Sequence, residues 1–297
     1  MRIVFVGAVD FSRHCLETLL RLQAEVVAVV TVAPEKSHLN SDYVDLGPIA
    51  ARHNMPLLRV RQISSPENVE WIRAQRPDVV CVFGFSQLLS PELLSVAPLG
   101  CLGTHPALLP RNRGRHPIIW ALVEGLTETG LTFLYLDEGV DSGDILWQRP
   151  VAIAPDDDAG SLYVKIRDLA QVAIAEFLPQ LQAGTAPRTP QDHSRATYWR
   201  KRTEADGLID WTASSQTIHN LIRGLARPYV GAHTLQNGQR SVVWKSRLPT
   251  TPVPNDLVDH PAGTMRLQPD GSVAVRTGDG WLLVLEMESQ VVKKNAA

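Results

Sequence analysis

The sequence contains little cysteine. Its three cysteines, Cys15, Cys81 and Cys101, are far apart, and each lies among apolar residues. They form no metal-binding spacing such as two cysteines two residues apart, and an odd number cannot be paired completely in disulfides. We therefore expect neither a metal site nor a disulfide framework, and such a chain suits a reducing compartment such as the cytoplasm.

The sequence also lacks an excess of charge and a long apolar run. Lysine and arginine number 29 against 31 aspartates and glutamates, so the net charge is −2, and no chain-wide positive field attracts nucleic acid or anionic membranes. No apolar segment approaches the ~20 residues of a membrane span. The opening apolar run is interrupted at Asp10 and is followed by no small-residue cleavage site, which is typical of a buried strand rather than a signal peptide.

The first half of the chain alternates apolar runs with helical patterns. Ser65 followed by Pro66 indicates a helix start, and apolar residues at helical spacing from Leu162 to Phe177 indicate a long helix. Continuous apolar runs typical of buried strands lie at 3–8, 26–32, 78–84, 101–105 and 130–136. This order predicts an α/β domain over residues 1–184, built on a Rossmann-like, mostly parallel sheet.

The composition changes after this domain. Residues 185–205 are rich in Gly, Pro, Thr, Arg and Asp, which predicts a linker. Residues 206–297 combine a helical pattern near 214–225 with several strand-like segments. We expect a smaller C-terminal mixed α+β, barrel-like domain of ordinary size.

Two side chains stand out in loops that follow predicted strands. In an open α/β sheet, ligands bind beyond the carboxyl ends of the strands, which directs attention to the loops at 84–90, 105–110 and 137–146. His105 ends one strand and Asp141 lies in a later loop. Each also has a plainer interpretation, as a structural histidine and as a turn-forming aspartate. The chain has neither a G-x-G-x-x-G motif after its first strand nor a P-loop, so a dinucleotide site is not indicated.

The segment from Gly100 to Leu146 resembles the signature of the folate-dependent formyltransferases, a family that includes methionyl-tRNA, glycinamide ribonucleotide and sugar N-formyltransferases. The family pattern is Asn-x-His, a Leu-Leu-Pro loop, an Arg-Gly pair and an Asp-[Ala/Ser/Thr]-Gly loop. The matching residues, in this order, are His105, Leu108-Leu109-Pro110, Arg113-Gly114 and Asp141-Ser142-Gly143. The opening strand and residues 208–232 are also similar to the family, and the latter resemble a C-terminal domain that the glycinamide ribonucleotide enzymes lack.

The resemblance implies a reaction and a set of functional residues. An amine would attack the formyl carbon of N10-formyltetrahydrofolate through a tetrahedral oxyanion, with His105 beside the oxyanion and Asp141 taking part in proton transfer through water. Both parts agree with general physics, because a donor aimed at developing charge and a carboxylate near a histidine serve these purposes. By the same mapping, the pterin would be held by Phe85, Ser86, Gln87, Leu88 and Leu89, with the loop of Asp137 and Val140 closing its other side.

The chain departs from the family pattern at Gly103. The family has asparagine there, whose amide faces the formyl oxygen, and loss of one such donor typically costs about a hundredfold in rate. Three interpretations are open. Another group, such as Thr104, a main-chain N–H or water, replaces the asparagine amide, or formyl transfer proceeds without that donor. In the third interpretation, the protein is a catalytically silent folate-binding homologue. One amino-sugar branch, the pseudaminic-acid type, resembles this chain in having glycine at this position.

Charge distribution bears on which amine is formylated. Residues 33–49 hold one lysine and several acids, and residues 206–297 hold nine Lys/Arg against eight Asp/Glu, a net charge of +1. A tRNA would need several cationic contacts, so the sequence favours an amino sugar, free or nucleotide-linked, as the small-molecule partner, with nucleic acid disfavoured. The side chains predicted to bind this substrate are Arg113, Arg115, His116 and Tyr229, although the cations could also be a solvated rim.

The alternatives from the sequence are a methionyl-tRNA formyltransferase and the silent folate-binding homologue. A hydrolytic formyltetrahydrofolate deformylase is disfavoured because its N-terminal regulatory domain has no visible counterpart. A homodimer is compatible with the resemblance, since related sugar enzymes are often dimers, but no exposed stripe indicates one. Cytoplasmic localisation is expected.

Overall fold

The computed structural model describes residues 1–39, 41–236 and 239–290. The strands of the first part are β1 (Arg2–Val6), β2 (Glu25–Val32), β3 (Leu57–Val60), β4 (Val79–Val82), β5 (Cys101–His105), β6 (Arg113–Gly114), β7 (Glu128–Tyr135), β8 (Ile145–Ala152) and β9 (Tyr198–Trp199). The helices there are α1 (Asp10–Arg21), α2 (Gly47–Arg52), α3 (Pro66–Ala74), α4 (Pro91–Leu94), α5 (Pro117–Val123) and α6 (Ala159–Gln182). The last part contains α7 (Ser215–Leu225), β10 (Ala232–Gln236), β11 (Gln239–Arg247), β12 (Met265–Leu267), β13 (Val273–Arg276) and β14 (Trp281–Gln290). Short 3-10 turns lie at Pro34–Leu39, His193–Arg195 and Glu204–Gly207.

The chain divides into two compact units that interleave along the sequence. The first unit comprises Met1–Pro117, Thr129–Ala152 and Val164–Trp199. The second comprises Ile118–Glu128, Ile153–Tyr163 and Arg200–Ala297. The segment predicted as a linker, 185–205, therefore contributes its first fifteen residues, through Trp199, to the first unit.

The first unit is built on a seven-stranded sheet in the order β3-β2-β1-β4-β5-β7-β8. Its central strands pair in parallel, and their side chains are buried on both faces, as continuous apolar runs require. The helix predicted to start after Ser65 begins at Pro66, and Ser65 has the extended conformation of an N-cap. The predicted long helix is α6. The Rossmann-like fold class is thus confirmed.

One strand runs against the expected direction. β7 pairs antiparallel to β5, with His105 opposite Thr132 and Leu102 opposite Tyr135. A parallel connection needs a crossover helix packed on the sheet, whereas α5, the helix between these strands, places Ile119 in the core of the second unit. β7 accordingly begins beside the carboxyl end of β5 and runs back along it.

The second unit is an antiparallel sheet with a helix against it. Its five strands follow the order β10-β11-β14-β13-β12. Ser214 caps α7 by accepting the N–H of Thr217, and the apolar stripe of α7, including Ile218 and Ile222, packs on Val243 of the sheet. This α+β arrangement agrees with the predicted C-terminal domain.

Three findings concern the cysteines, metal binding and membrane spanning. Burial raises the pKa of the Cys101 thiol to about 12 and also raises the pKa values of Cys15 and Cys81, so these cysteines are not thiolate nucleophiles at neutral pH. Within the described residues, no group of three or more His, Cys, Asp or Glu side chains is placed to hold a metal ion. No helix in that part of the chain is both long and apolar enough to cross a bilayer.

Candidate active site

His105 is the last residue of β5, and its side chain is only 5% exposed. Its Nε2 atom lies 2.7 Å from the carbonyl oxygen of Asn112. Its Nδ1 atom lies 3.4 Å from Oδ2 of Asp141. Both ring nitrogens therefore have an oxygen neighbour, and the two residues predicted to be catalytic are in direct contact.

Asp141 reaches this position by a path that the sequence did not predict. Loops that follow neighbouring parallel strands meet at one edge of a sheet, but the loop after the antiparallel β7 starts beside the opposite end of β5. Leu136 donates its N–H to Cys101 at 2.7 Å, its side chain lies over Gly103, and Asp141 then meets His105. The loop thus runs back along β5 toward the site. Asp141 itself has a left-handed backbone, with φ +50°.

The carboxylate of Asp141 is held by the main chain of another loop. The N–H of Gly114 donates to Oδ2 at 2.9 Å, the same oxygen that faces His105. Gly114 follows Arg113 in the short strand β6, which pairs with β9. Its φ is +109°, and a Cβ atom there would overlap the Trp199 carbonyl, so glycine is required for this close approach.

Arg113 is enclosed by groups of the first unit. It is 2% exposed, and its Nη2 donates to Oε1 of Gln191 at 2.7 Å and to Nδ1 of His193 at 3.1 Å. Its Nη1 donates to the Tyr198 hydroxyl at 3.0 Å. The sequence predicts Arg113 among the substrate-binding cations; in the structure its donors are directed to the protein's own polar groups, and we interpret it as a support of the loop.

The remaining residues of the predicted acceptor site are placed differently from one another. Arg115 is exposed, and its Nη1 donates to the carbonyl of Ser86 at 3.2 Å, which joins the predicted pterin loop to the loop after His105. His116 is half-buried with φ +57°. Tyr229 belongs to the second unit and packs against the core of that unit, so it is not among the residues that the first unit brings around His105.

In the loop predicted to bind the pterin, the side chain of Gln87 is anchored by hydrogen bonds, whereas the side chain of Leu88 is exposed. Gln87 accepts the N–H of Ile63 at 2.8 Å and donates to the Arg61 carbonyl at 3.0 Å, so its side chain anchors the loop. Phe85 and Leu89 pack against the core. Leu88, by contrast, is 82% exposed.

The loop of Asp137 and Val140 likewise combines an anchored polar side chain with an exposed apolar one. Asp137 closes a turn by accepting the N–H of Gly139 and the hydroxyl of Ser142, and Val140 is 47% exposed. A flat, largely apolar group such as a pterin is bound by apolar side chains next to ordered main-chain donors and acceptors. The two loops offer both, and their residues fit such a ligand.

Gly103 faces the same side of β5 as His105, because side chains two apart share a face of a strand. That side is filled by Leu136. A Cβ atom built on Gly103 would overlap Cδ2 of Leu136 and lie 3.0 Å from its Cγ. The room that a side chain at position 103 would need is therefore taken by an apolar side chain.

We expect Gly103→Asn to destabilise the protein by about 2 kcal/mol, because inserting atoms into filled space forces neighbours to move. The free energy of unfolding from urea titration measures this. In the Leu136→Ala background the same substitution should cost less, since the overlap is gone. Gly184→Asn is the control: nothing lies within 4 Å of a Cβ there, and asparagine tolerates its φ of +68°. An equal cost in both backgrounds would contradict the overlap.

Three residues of the site were not found from the sequence. Asn112 supplies the carbonyl at His105, Gln191 binds the main chain of the Asp141 loop, and Thr197 binds Asn112. Gln191 and Thr197 lie in the segment predicted as a linker. Single polar residues without periodic spacing carry no local signal for contacts such as those of Gln191 with Asp141 and of Thr197 with Asn112, which join residues 50 and 85 apart in the chain.

Sequence comparison matches the whole chain. The family model described as "Formyl transferase" covers residues 1–178, and "Formyl transferase, C-terminal domain" covers residues 201–296. The methionyl-tRNA formyltransferase of Geobacter metallireducens is 36% identical, covering 100% of this chain and 94% of that protein. That of Acetivibrio thermocellus is 35% identical, covering 97% and 92%.

Solved structures share the fold. HypX from Aquifex aeolicus, in complex with tetrahydrofolic acid, matches 98% of this chain with a TM-score of 0.72 and 18% identity, and this chain spans 44% of the length of HypX. WlaRD, a sugar 3N-formyl transferase in the presence of dTDP and 5-N-formyl-THF, matches with a TM-score of 0.69 and 17% identity over 99% of this chain and 98% of that one.

These findings confirm the resemblance that the motif of His105 and Asp141 indicated. The protein is an enzyme that transfers formyl groups, and N10-formyltetrahydrofolate is the donor that its family uses. With both family models matched and full-length relatives above 30% identity, the chain belongs to the formyltransferase family.

Proposed function

We propose that this enzyme formylates the α-amino group of methionyl-tRNA. The observation that carries the proposal is similarity over the full length, including the C-terminal domain, to curated methionyl-tRNA formyltransferases at 32–36% identity. We also propose that the catalytic domain is 1–184 and the C-terminal domain 206–297. They are joined along the chain by 185–205, a linker whose residues through Trp199 pack in the first unit. The reaction would take place in the cytoplasm, where charged tRNA is made and used.

The amino-sugar specificity predicted from the sequence, with its pseudaminic-acid variant, is wrong. The full-length curated relatives carry the name methionyl-tRNA formyltransferase, whereas sugar N-formyltransferases resemble this chain at 15–18% identity, which supports the fold alone. The error lies in the charge argument. A net charge counted over a domain does not describe where its cations lie, and a few exposed guanidinium groups on one face suffice to contact phosphates.

The contacts of His105 and Asp141 support their catalytic roles. The folate supplies the formyl group. We assign to Asp141 the transfer of the proton that the acceptor amine loses, directly or through water, to N10 of the folate, which leaves as tetrahydrofolate when its bond to the formyl carbon breaks. The imidazole of His105 would lie beside the oxygen on which negative charge develops, as the resemblance to the family implies. Gly114 keeps the carboxylate oriented by its N–H.

We place the pterin between the loop of Phe85, Ser86, Gln87, Leu88 and Leu89 and the loop of Asp137 and Val140. The support for this is the exposure of Leu88 and Val140 on loops that are otherwise well anchored. Arg115 and His116 remain our candidates for the acceptor side. The exposed Arg111 is a further cation in the same loop.

A direct assay tests the proposed acceptor. The enzyme is incubated with N10-formyltetrahydrofolate and methionylated initiator tRNA, and formyl-methionine and tetrahydrofolate are measured. We expect both products in equal amounts, and no turnover with a panel of 4-amino-dideoxy sugar nucleotides. Deacylated tRNA is the matched control, because it keeps the phosphates and lacks the amine. Turnover with a sugar alone, or folate binding without turnover on any amine, would contradict the proposal.

A further inference from the structure

The imidazole of His105 is held by a main-chain group. Its Nε2 lies 2.7 Å from the carbonyl oxygen of Asn112. A carbonyl oxygen can only accept a hydrogen bond, so this contact requires the hydrogen of the ring to be on Nε2. Nδ1 is then the ring nitrogen that faces Oδ2 of Asp141, at 3.4 Å.

Asn112, which supplies this carbonyl, is oriented by the side chain of Thr197, 85 residues further along the chain. Asn112 has φ +62°, in the left-handed region that asparagine tolerates but most residues avoid. Its N–H donates to Oγ1 of Thr197 at 2.8 Å, and the Thr197 hydroxyl donates to Oδ1 of Asn112 at 3.1 Å. One hydroxyl thus serves both as acceptor and as donor to the same residue. The carbonyl of Thr197 further accepts the N–H of Arg113 at 2.9 Å.

We propose that Thr197 is a positioning residue for formyl transfer: its hydroxyl orients Asn112, whose carbonyl fixes His105 as the Nε2–H tautomer with Nδ1 directed to Asp141. The link from Thr197 to His105 is geometric, while its consequence for turnover rests on the proposed function. In this arrangement a main-chain carbonyl orients a catalytic histidine. In many other enzymes a carboxylate has this role.

The test compares Thr197→Val with Thr197→Ser. Valine keeps the shape and loses both hydrogen bonds, whereas serine keeps the hydroxyl. In the protein without substrates, nitrogen-15 NMR of the histidine rings reports the tautomer, and the His105 signals are identified by their loss in His105→Gln. We expect a single Nε2–H tautomer in the wild type and in Thr197→Ser, and a mixture of tautomers in Thr197→Val.

Kinetics with methionyl-tRNA give the second readout. We expect Thr197→Val to lower kcat about 5-fold, with KM unchanged and with wild-type kcat in Thr197→Ser. The fall is no larger than the effect of one ordinary hydrogen bond because both lost bonds act on His105 only through Asn112. Thr189→Val, an exposed threonine of the same segment, is the matched control and should leave both readouts unchanged. Asn112→Gly keeps the carbonyl and the left-handed backbone but loses Oδ1, so its effect should be intermediate.

The outcomes separate this inference from the proposed function. An Nδ1–H tautomer in the wild type, or an unchanged tautomer and kcat in Thr197→Val, overturns the inference. A tautomer change without any change in kcat overturns the role in turnover. Because the NMR measurement needs no acceptor, failure of the enzyme to use methionyl-tRNA would refute the proposed function and leave the tautomer result standing.

Discussion

We expect the replacement of Asp141 with asparagine to lower kcat of formyl transfer by about 10³-fold, within the range for loss of a general acid or base, which corresponds to about 4 kcal/mol of transition-state stabilisation. Asparagine has nearly the same shape and can still accept the N–H of Gly114 through its amide oxygen, but it cannot take up a proton. KM for both substrates should therefore stay close to the wild-type value. Steady-state kinetics of tetrahydrofolate release measure the effect.

The matched control is Asp168→Asn. Asp168 is an exposed carboxylate on α6, paired with Arg167 at 3.3 Å, and its loss should leave kcat unchanged. The double variant Asp141→Asn/His105→Ala should lose little more than the worse of the two single variants, because residues that act as one unit are strongly non-additive. Independent, additive losses would show that the contact between Nδ1 and Oδ2 has no part in turnover, and a kcat near wild type in Asp141→Asn would refute the role of the carboxylate.

The parallel core of the fold was predictable from the sequence because it depends on local composition. The runs at 26–32 and 101–105 became β2 and β5 almost without change of bounds, since strands buried on both faces need continuous apolar residues. The direction of β7 was not predictable in this way. Its apolar run is compatible with either direction, because the composition of a strand does not specify the direction of its neighbour.

Part of the candidate site was also predictable, because two of its residues belong to a local sequence motif. His105 and Asp141 belong to a motif with fixed spacing, and they are in contact in the structure. Their supports, Asn112 and Thr197, contribute through a carbonyl group and a hydroxyl that many residue types could supply in sequence, so no spacing reveals them. Gly103 is an intermediate case: the sequence shows the departure from the family pattern, and only the structure shows that Leu136 takes the space.

Gln191 connects the two loops that carry the site. It is 6% exposed. Its amide nitrogen donates to the carbonyls of Asp141 at 2.9 Å and Gly143 at 2.6 Å, while its oxygen accepts from the buried guanidinium of Arg113 at 2.7 Å. One side chain thus fixes the main chain at Asp141 and provides an acceptor for a buried positive charge. The loss of a partner in such a contact costs more than the loss of a surface hydrogen bond.

We therefore expect Gln191→Ala to lower the free energy of unfolding by about 3 kcal/mol and kcat/KM by about 10²-fold, because a displacement of the Asp141 loop by about 1 Å is enough for that loss. Gln191→Glu separates the two effects. A carboxylate still accepts from Arg113, so much of the stability should remain, but it cannot donate to the two carbonyls, so activity should still fall. Urea unfolding and steady-state kinetics measure both quantities, with Gln180→Ala, an exposed residue of α6, as the control. If Gln191→Glu kept full activity, the amide contacts to Asp141 and Gly143 would not be what positions the carboxylate of Asp141.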